Sequence, residues 1–345
     1  MKKFSLAVAA LAATALTACG GQDSASGDSR DAIHAVGSST VFPFATRISE
    51  IFSRENPQFP AANIESIGTG GGIAQFCGGI GFNTPDIAQA SRRMKPDEFA
   101  TCQANGVENI VEIQVGMDGI ALASAQGGIT MDLTPEIVYR AIAANPYGEE
   151  QTAENWSDID PSLPDLPILV YGPPSTSGTR DALTELILEV GCEAGPLPEG
   201  LSEEEEDRIC TEVRSDGKYV DQGEQDNLIV QKIETNPNAV GIFGFSYLDA
   251  NADRVQGLSM NGVAPTYENI SNFSYPGARP LFIYLKADHI GVIPGLEEFL
   301  ATWVANWGAD GPLAEIGLVP NRDDVMAAMT AATTEFPTLT AEDLQ

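Results

Sequence analysis

The sequence predicts an α/β protein of two lobes, each a mostly parallel sheet flanked by helices. Short apolar runs typical of buried strands alternate with helix-like segments over residues 33–123, and the alternation resumes at residues 168–190. Residues 32–345 are enough for two lobes with separate cores. The composition, 43% hydrophobic and 7% aromatic, is that of an ordinary globular protein.

Residues 1–18 have the features of a signal peptide of the lipoprotein type. Lys2 and Lys3 form the positive start, residues 4–16 form an apolar segment too short to span a bilayer, and small residues follow. The Leu-Thr-Ala-Cys sequence of residues 16–19 resembles a bacterial lipobox, with Cys19 as the lipidated residue; ordinary cleavage after residues 13–15 is the alternative. Residues 19–31 are expected to form a flexible tether. We therefore predict a periplasmic protein anchored by lipid at Cys19.

Five cysteines are an odd number, and an exported protein seldom keeps a spare thiol. Assigning Cys19 to the lipid leaves four cysteines, which allow three pairings. The pairs local in sequence are Cys77 with Cys102 and Cys192 with Cys210. No spacing of cysteine or histidine matches a zinc site, and we expect neither a metal nor another cofactor.

The formal net charge of −31 excludes some partners and leaves others open. Loss of Lys2 and Lys3 with the signal peptide makes the mature chain still more negative. Such a surface argues against binding to nucleic acid or to anionic lipid. It does not exclude a small anion, because surface charge is screened within about 10 Å whereas aligned backbone dipoles act at contact. We expect a monomer that reaches the membrane only through its lipid.

Small hydroxyl residues and glycine lead into a predicted helix at three places. These loops are residues 37–40, 68–72 and 175–180, each after a strand-like run, and residues 90–93 end a fourth such run. Each of the three helix junctions exposes backbone N–H groups at the positive end of a helix, which suits a small oxyanion. Helix capping alone would explain any single loop. Four strand ends of one type can, however, converge on one crevice.

The remaining segments complete the predicted order of elements. Thr134 and Pro135 are expected to begin a helix at residues 137–144. Further along, the pattern predicts a helix at residues 226–235, strands at 239–245 and 281–285, and an amphipathic helix at 294–307. The intervening residues 191–225 are expected to form an irregular acidic insertion that Cys192 and Cys210 would staple, with a solvated charge run at 203–207.

Taken together, the loops resemble those of periplasmic phosphate-binding proteins, the substrate-binding components of high-affinity phosphate ABC transporters. The similarity rests on residues 36–43, 68–72, 91–92 and 177–181, and it extends over residues 33–319, including 238–245. It implies a type 2-like binding-protein fold in which two lobes close over one phosphate in the cleft between them and deliver it to an ABC permease. It assigns residues 32–123 and 279–340 to lobe 1 and residues 124–278 to lobe 2, with the insertion in lobe 2.

The resemblance also implies the ligand contacts. Hydroxyl and backbone N–H groups would come from Ser39, Thr40, Val41, Thr69, Ser91, Ser177, Gly178 and Thr179. Two positions depart from the best-known branch of the family: Arg92 stands where that branch has an aspartate, and Pro173 where it has an arginine. We expect Arg92 and Arg180 to supply the positive charge instead, because guanidinium groups bind tetrahedral oxyanions bidentately.

Rejection of sulfate requires an acceptor for a proton that phosphate carries and sulfate does not. Our candidate is Asp118, a lone acid in the apolar run of residues 110–123, because a buried acid needs a partner. The alternative is a structural salt bridge from Asp118 to Arg92 or Arg93, and both roles are compatible.

Other functions stay open at this point. A different oxyanion, such as sulfate, a phosphonate or a phosphate ester, would suit the same loops, and a scaffold lipoprotein could keep the fold without transport. An exported phosphatase is disfavoured, because the sequence has no Gly-x-Ser-x-Gly motif and no histidine evidently placed to activate the hydroxyls. We therefore expect a binding protein and not an enzyme.

Overall fold

The computed structural model describes residues 30–175, 177–222 and 226–344. The predicted signal peptide and Cys19 lie outside these residues, as does most of the tether. Within the described part of the chain, every helix is too short or too polar to span a bilayer.

The chain alternates strands and helices in the predicted manner. The strands are β1 (His34–Gly37), β2 (Asn63–Ser66), β3 (Ile87–Ala90), β4 (Ile110–Ala125), β5 (Asp132–Leu133), β6 (Val170–Gly172), β7 (Tyr219–Asp221), β8 (Val240–Gly244), β9 (Val255–Gly257), β10 (Ser259–Met260) and β11 (Ala278–Lys286). The α-helices are α1 (Phe42–Glu55), α2 (Thr69–Phe76), α3 (Pro96–Ala104), α4 (Pro135–Ile142), α5 (Trp156–Ile159), α6 (Gly178–Leu183), α7 (Glu189–Glu193), α8 (Glu203–Thr211), α9 (Asp226–Thr235), α10 (Phe245–Ala250), α11 (Tyr267–Ser271), α12 (Leu296–Asn306) and α13 (Asp323–Glu335).

Strand β4 belongs to both lobes. Its residues up to Gly119 pair with β11, and its residues from Ile120 pair with β8 and then β9. On the lobe 1 side β2, β1 and β3 are parallel, and on the lobe 2 side β8, β6 and β7 are parallel. The chain thus passes between the sheets at Gly119 and Ile120, earlier than the predicted residue 123, and returns next to Ala278.

Each lobe has its own apolar core. The lobe 2 core surrounds Trp156, and the lobe 1 core lies between the sheet and the helices that carry Phe52 and Trp303. A further cluster on the opposite face of the lobe 1 sheet includes the Cys77–Cys102 disulfide. Trp156 and Trp303 are both fully buried, each at the centre of one lobe's packing.

Both predicted disulfides are confirmed, but the insertion is more ordered than expected. Cys192 in α7 is bonded to Cys210 in α8. Helix α8 forms because Ser202 and Glu205 make a capping box, and the acidic residues that follow Ser202 lie at the positive helix end. Strand β7 extends the lobe 2 sheet next to β6. The prediction of an irregular segment was therefore wrong over α8 and β7.

Candidate functional site

The first loop, between β1 and α1, is held tightly against the neighbouring strand β3. Gly37 has φ +141°, and a Cβ built on it would lie 2.1 Å from the Gln89 carbonyl oxygen, so only glycine fits. The Ser38 hydroxyl accepts hydrogen bonds from the backbone N–H groups of Thr40 (3.2 Å) and Val41 (3.4 Å). Ser38 therefore shapes the turn that presents Thr40.

Two further loops of lobe 1 meet beside the first. The hydroxyls of Thr69, at the start of α2, and Ser91, just after β3, are 2.9 Å apart, and the Ser91 N–H donates to Thr69 Oγ1 over 3.1 Å. Gly72 of α2 packs on Gly37 of β1 so closely that a Cβ on Gly72 would lie 2.4 Å from the Gly37 Cα. These contacts place the three hydroxyl-rich loops of lobe 1 at one edge of the sheet.

Lobe 2 contributes the start of helix α6. Ser177 is its N-cap, and its hydroxyl accepts from the Thr179 N–H over 3.2 Å. A Cβ built on Gly178 would lie 3.5 Å from the Thr40 Cα, so this helix start faces the first loop at contact distance. The Ser39 hydroxyl donates to the Asp181 carboxylate from the opposite lobe.

The positive charge at this junction belongs to Arg279, at the start of β11. Its side chain is 4% exposed. Nε donates to Asp118 Oδ2 over 3.2 Å, Nη2 donates to Thr40 Oγ1 over 2.6 Å, and Nη1 donates to the Glu185 carboxylate. Among the described residues, these bonds use three of the five N–H groups of the guanidinium, which leaves two for another acceptor. Arg279 thus joins the crossing strand to both lobes.

A cavity of about 220 Å³ lies between the lobes at this point. It is lined by Thr40, Pro43, Phe44, Asp118, Ser177, Gly178, Thr179, Gly244, Ser246, Tyr247, Ile316 and Gly317. A larger cavity of about 620 Å³ lies within lobe 2, but Glu136, Glu149, Glu150 and Asp158 line it with a single arginine, Arg140. Of the described residues that line it, the smaller cavity has one acid, Asp118, which is paired with Arg279, and it also has the positive start of α6, so it is the better site for an anion.

Comparisons with known proteins agree with this architecture. A family model described as a PBP superfamily domain matches residues 22–306. Protein SphX of Synechococcus elongatus is 31% identical over 315 residues, which are 89% of this chain and 82% of SphX. The chain belongs to the PBP superfamily.

Two further proteins resemble the chain over most of its length. The phosphate-binding protein PstS of Staphylococcus saprophyticus is 26% identical over 331 residues, 94% of this chain and 92% of that protein. The crystal structure of a possible phosphate binding protein from Planctomyces limnophilus is 26% identical, covers 88% of this chain and 98% of its own, and superposes with a TM-score of 0.72. The two-lobed α/β fold predicted from the sequence is confirmed for this PBP superfamily member.

Most of the predicted site residues meet at the cleft of this PBP superfamily fold. Thr40, Asp118, Ser177, Gly178 and Thr179 line the cavity. The other predicted loop residues lie next to it: Ser39 contacts α6, Thr69 and Ser91 form the adjoining hydroxyl pair, and Val41 is buried at the start of α1.

Neither of the two arginines predicted to bind the ligand, Arg92 and Arg180, is among the described residues that line the cavity, and both have other partners. Arg92 donates to both carboxylate oxygens of Glu98 over 2.9 and 2.7 Å. Burial by itself raises the pKa of Glu98, but the hydrogen bonds from Arg92 and the Lys95 N–H outweigh it, and the pKa lies below its ordinary value. Helix α3, which carries Glu98, therefore holds Arg92 as a structural partner.

Arg180 faces lobe 2 and not the cavity. Its Nη1 donates to the Pro173 carbonyl and to the Tyr219 hydroxyl, both over 2.9 Å, and the guanidinium lies 4.9 Å from the centroid of the Tyr219 ring. Burial raises the pKa of Tyr219 to about 12, so its hydroxyl stays neutral at physiological pH. Arg180 fixes the loop before α6 to strand β7.

The alternative partner predicted for Asp118 was also wrong. Arg93 binds Glu112 over 2.6 Å and Arg92 binds Glu98, whereas Asp118 pairs with Arg279. Asp118 thus forms a salt bridge and lines the cavity at the same time, so the two roles considered for it are compatible in this geometry.

Sequence reasoning missed Arg279, Glu185 and Ser38. Arg279 carried the same signal as Asp118, a single charge beside an apolar strand, but the sequence could not show that these two charges are neighbours. Ser38 was part of a recognised loop and was overlooked as its internal cap. Glu185 had no distinguishing pattern, because acids on exposed helix faces are common.

Proposed function

We propose that this chain is an exported binding protein that captures inorganic phosphate between its lobes and delivers it to an ABC permease. The observation that carries the proposal is the cavity between the lobes: hydroxyls and a helix start from opposite lobes line it, and the buried Arg279 donates to two of its lining residues, Thr40 and Asp118. The names of PstS of Staphylococcus saprophyticus and of the Planctomyces limnophilus protein support phosphate as the ligand.

The geometry supplies the donors that a tetrahedral anion needs. Thr40, Ser177 and Thr179 contribute hydroxyls, and the start of α6 contributes backbone N–H groups and a positive helix end. Helical backbone continues from α6 through a π-helical turn (Thr184–Leu188) into α7, so several peptide dipoles align toward this end. Each hydrogen bond to a charged group contributes about 1.5–3 kcal/mol, so several can offset the desolvation of the anion.

Asp118 is the proposed acceptor for the phosphate proton. Its carboxylate lines the cavity while Arg279 holds it in place over 3.2 Å. A carboxylate accepts a hydrogen bond from a protonated phosphate oxygen, whereas sulfate has no proton to donate and meets only like charge. Selection for phosphate follows from this acceptor.

The proposal also includes where the protein acts and what its cavity does to the ligand. Export follows from the signal peptide, and Cys19 is the proposed lipid attachment site, which would keep the protein at the membrane as a monomer without docking its acidic surface on lipid. We propose that the hydroxyls of Thr40, Ser177 and Thr179 donate hydrogen bonds to a captured ligand.

Calorimetric titration of the mature chain tests the proposal. We expect heat on addition of phosphate, with micromolar or tighter affinity, and the same heat in the presence of excess sulfate. A phosphate monoester should be neither bound as tightly nor hydrolysed. Equal competition by sulfate would replace phosphate with a general oxyanion as the ligand, and absence of any phosphate heat would refute capture altogether.

A further inference from the structure

Glu185 extends from lobe 2 to two polar groups of lobe 1. Its carboxylate accepts a hydrogen bond from Arg279 Nη1, and its Oε2 also accepts from the Ser91 hydroxyl over 3.4 Å. The Ser91 hydroxyl is in turn 2.9 Å from Thr69 Oγ1. A negatively charged side chain of one lobe therefore occupies the donors at which two loops of the other lobe meet.

The family resemblance assigns Ser91 and Thr69 to phosphate, and Arg279 donates to Thr40 and Asp118, which line the proposed phosphate cavity. Arg279 already faces two carboxylates, those of Asp118 and Glu185. A phosphate anion beside Arg279 would bring a third negatively charged group to a single guanidinium, and like charges at contact in a partly buried site repel strongly. One of the two carboxylates must therefore move away when the anion binds.

Exposure and attachment indicate which carboxylate moves. The Asp118 side chain is 16% exposed and lies on strand β4, which both sheets hold in place, whereas the Glu185 side chain is 45% exposed. Glu185 also has one more methylene and lies in the π-helical turn Thr184–Leu188, a rare local geometry that is frequent at functional sites. Glu185 can turn into solvent at little cost, and Asp118 cannot.

We propose that Glu185 is an internal competitor of the anion: it bridges the lobes through Arg279 and Ser91, and phosphate binds by displacing it. The inference rests on the proposed function. Glu185 then lowers affinity for every oxyanion alike, while Asp118 selects among them. It also gives the lobes an attraction of their own, since a carboxylate on one lobe binds a cation on the other.

Substitution of Glu185 in the mature chain tests whether this carboxylate competes with the anion. We expect Glu185→Gln to bind phosphate about tenfold more tightly than the wild type, because the amide is a weaker partner for Arg279 than the carboxylate. Sulfate affinity, measured by competition, should rise by a similar factor, so that the ratio of the two affinities is unchanged. Glu193→Gln removes the same charge from an exposed position at the end of α7 and should leave both affinities unchanged.

A second measurement follows the lobes directly. In small-angle X-ray scattering without phosphate, Glu185→Ala should have a larger radius of gyration than the wild type, and saturating phosphate should remove the difference. If Glu185→Gln bound phosphate with unchanged or weaker affinity, the proposal that Glu185 competes with the anion would be overturned. Weaker phosphate affinity combined with stronger sulfate affinity would instead identify Glu185 as the proton acceptor. If the wild-type chain gave no heat on addition of phosphate, the proposed function itself would be refuted. That result is distinguishable from a failure of the Glu185 proposal alone.

Discussion

Arg279 lies directly opposite Asp118 in the antiparallel pairing of β4 and β11, and its Nε donates to the Asp118 carboxylate over 3.2 Å. This pairing occurs where β4 leaves the lobe 1 sheet for the lobe 2 sheet. The register of two strands, and not the conformation of a loop, therefore positions the cation of the cleft. The two terminal nitrogens of Arg279 donate to the Thr40 hydroxyl in lobe 1 and to the Glu185 carboxylate in lobe 2.

Arg279→Lys should weaken phosphate binding by at least about tenfold. An ammonium group keeps the charge, but it cannot bind Asp118, Thr40 and the ligand in the fixed directions of a guanidinium. Calorimetry on the folded variant measures the change. Arg322→Lys is the matched control, because Arg322 is exposed at the start of α13, where it binds Asp324. Wild-type affinity in Arg279→Lys would remove Arg279 from the site.

Asp118→Asn should weaken phosphate binding about tenfold and make the protein more tolerant of sulfate. The amide cannot accept the phosphate proton as strongly as a carboxylate, and it no longer repels sulfate. Competition titrations with both anions give the ratio of affinities. The exposed Asp310→Asn serves as the charge-matched control. A constant ratio would leave Asp118 with only its salt bridge to Arg279.

Arg92→Ala should change stability and not binding. We expect phosphate affinity within about twofold of the wild type and a loss of about 1 kcal/mol in unfolding free energy at neutral pH, since Arg92 is the bidentate partner of Glu98. Urea unfolding and calorimetry measure the two quantities. A large loss of affinity would return Arg92 to the site.

The same pair has a defined pH dependence. The folded-state pKa of Glu98 lies below its ordinary value of 4.5, so the stabilisation is complete above that value and is lost as the pH falls through the folded pKa. The difference in unfolding free energy between the wild type and Arg92→Ala should therefore shrink in acid below pH 4.5. A difference that persists unchanged in acid would contradict this assignment.

Lys286 gives a second pH-dependent prediction, on the alkaline side. Burial lowers its pKa from 10.5 to about 8, although its Nζ donates to the Gly79 carbonyl (2.6 Å) and the Thr84 hydroxyl (2.7 Å). Above about pH 8 the folded chain releases this proton while the unfolded chain keeps it up to about 10.5, so this group increases stability as the pH rises. Lys286→Met should reduce that slope by up to about 1.4 kcal/mol per pH unit.

Chemical denaturation at several pH values between these two limits measures the slope. Lys95→Met is the control, because it makes the same substitution at an exposed lysine. Identical slopes in the wild type and Lys286→Met would show that burial does not shift the Lys286 pKa in the folded protein.

Much of the fold was predictable because its signals are local. Helix α4 begins at Pro135 with Thr134 as its cap, as predicted, and α9 has the predicted bounds. Both disulfides join cysteines that are near in sequence. Helix α8 was missed because its charge run was judged as a solvated face, although acids at a helix start also stabilise it.

The candidate site was also predictable only where its signals are local. The hydroxyl loops could be recognised from residue types, since small residues before a helix expose N–H groups wherever they occur. The sequence could not show which arginine lies beside the cleft. Arg92, Arg180 and Arg279 have the same side chain, and only the residues around each one in the fold decide where it binds. Arg92 donates to Glu98 and Arg180 donates to Tyr219, whereas Arg279 donates to residues of the cavity.

Residue patterns alone were sufficient for most of the alternating strands and helices, the Thr134 cap, the disulfides and the loops that suit an oxyanion, because each depends on neighbours close in the chain. The cation of the cleft, its carboxylate partner and the bridge from Glu185 depended on folding. Arg279 and Asp118 are 161 positions apart, and Arg279 and Glu185 are 94 apart. Only strand register and the closing of two lobes bring such distant charges into contact.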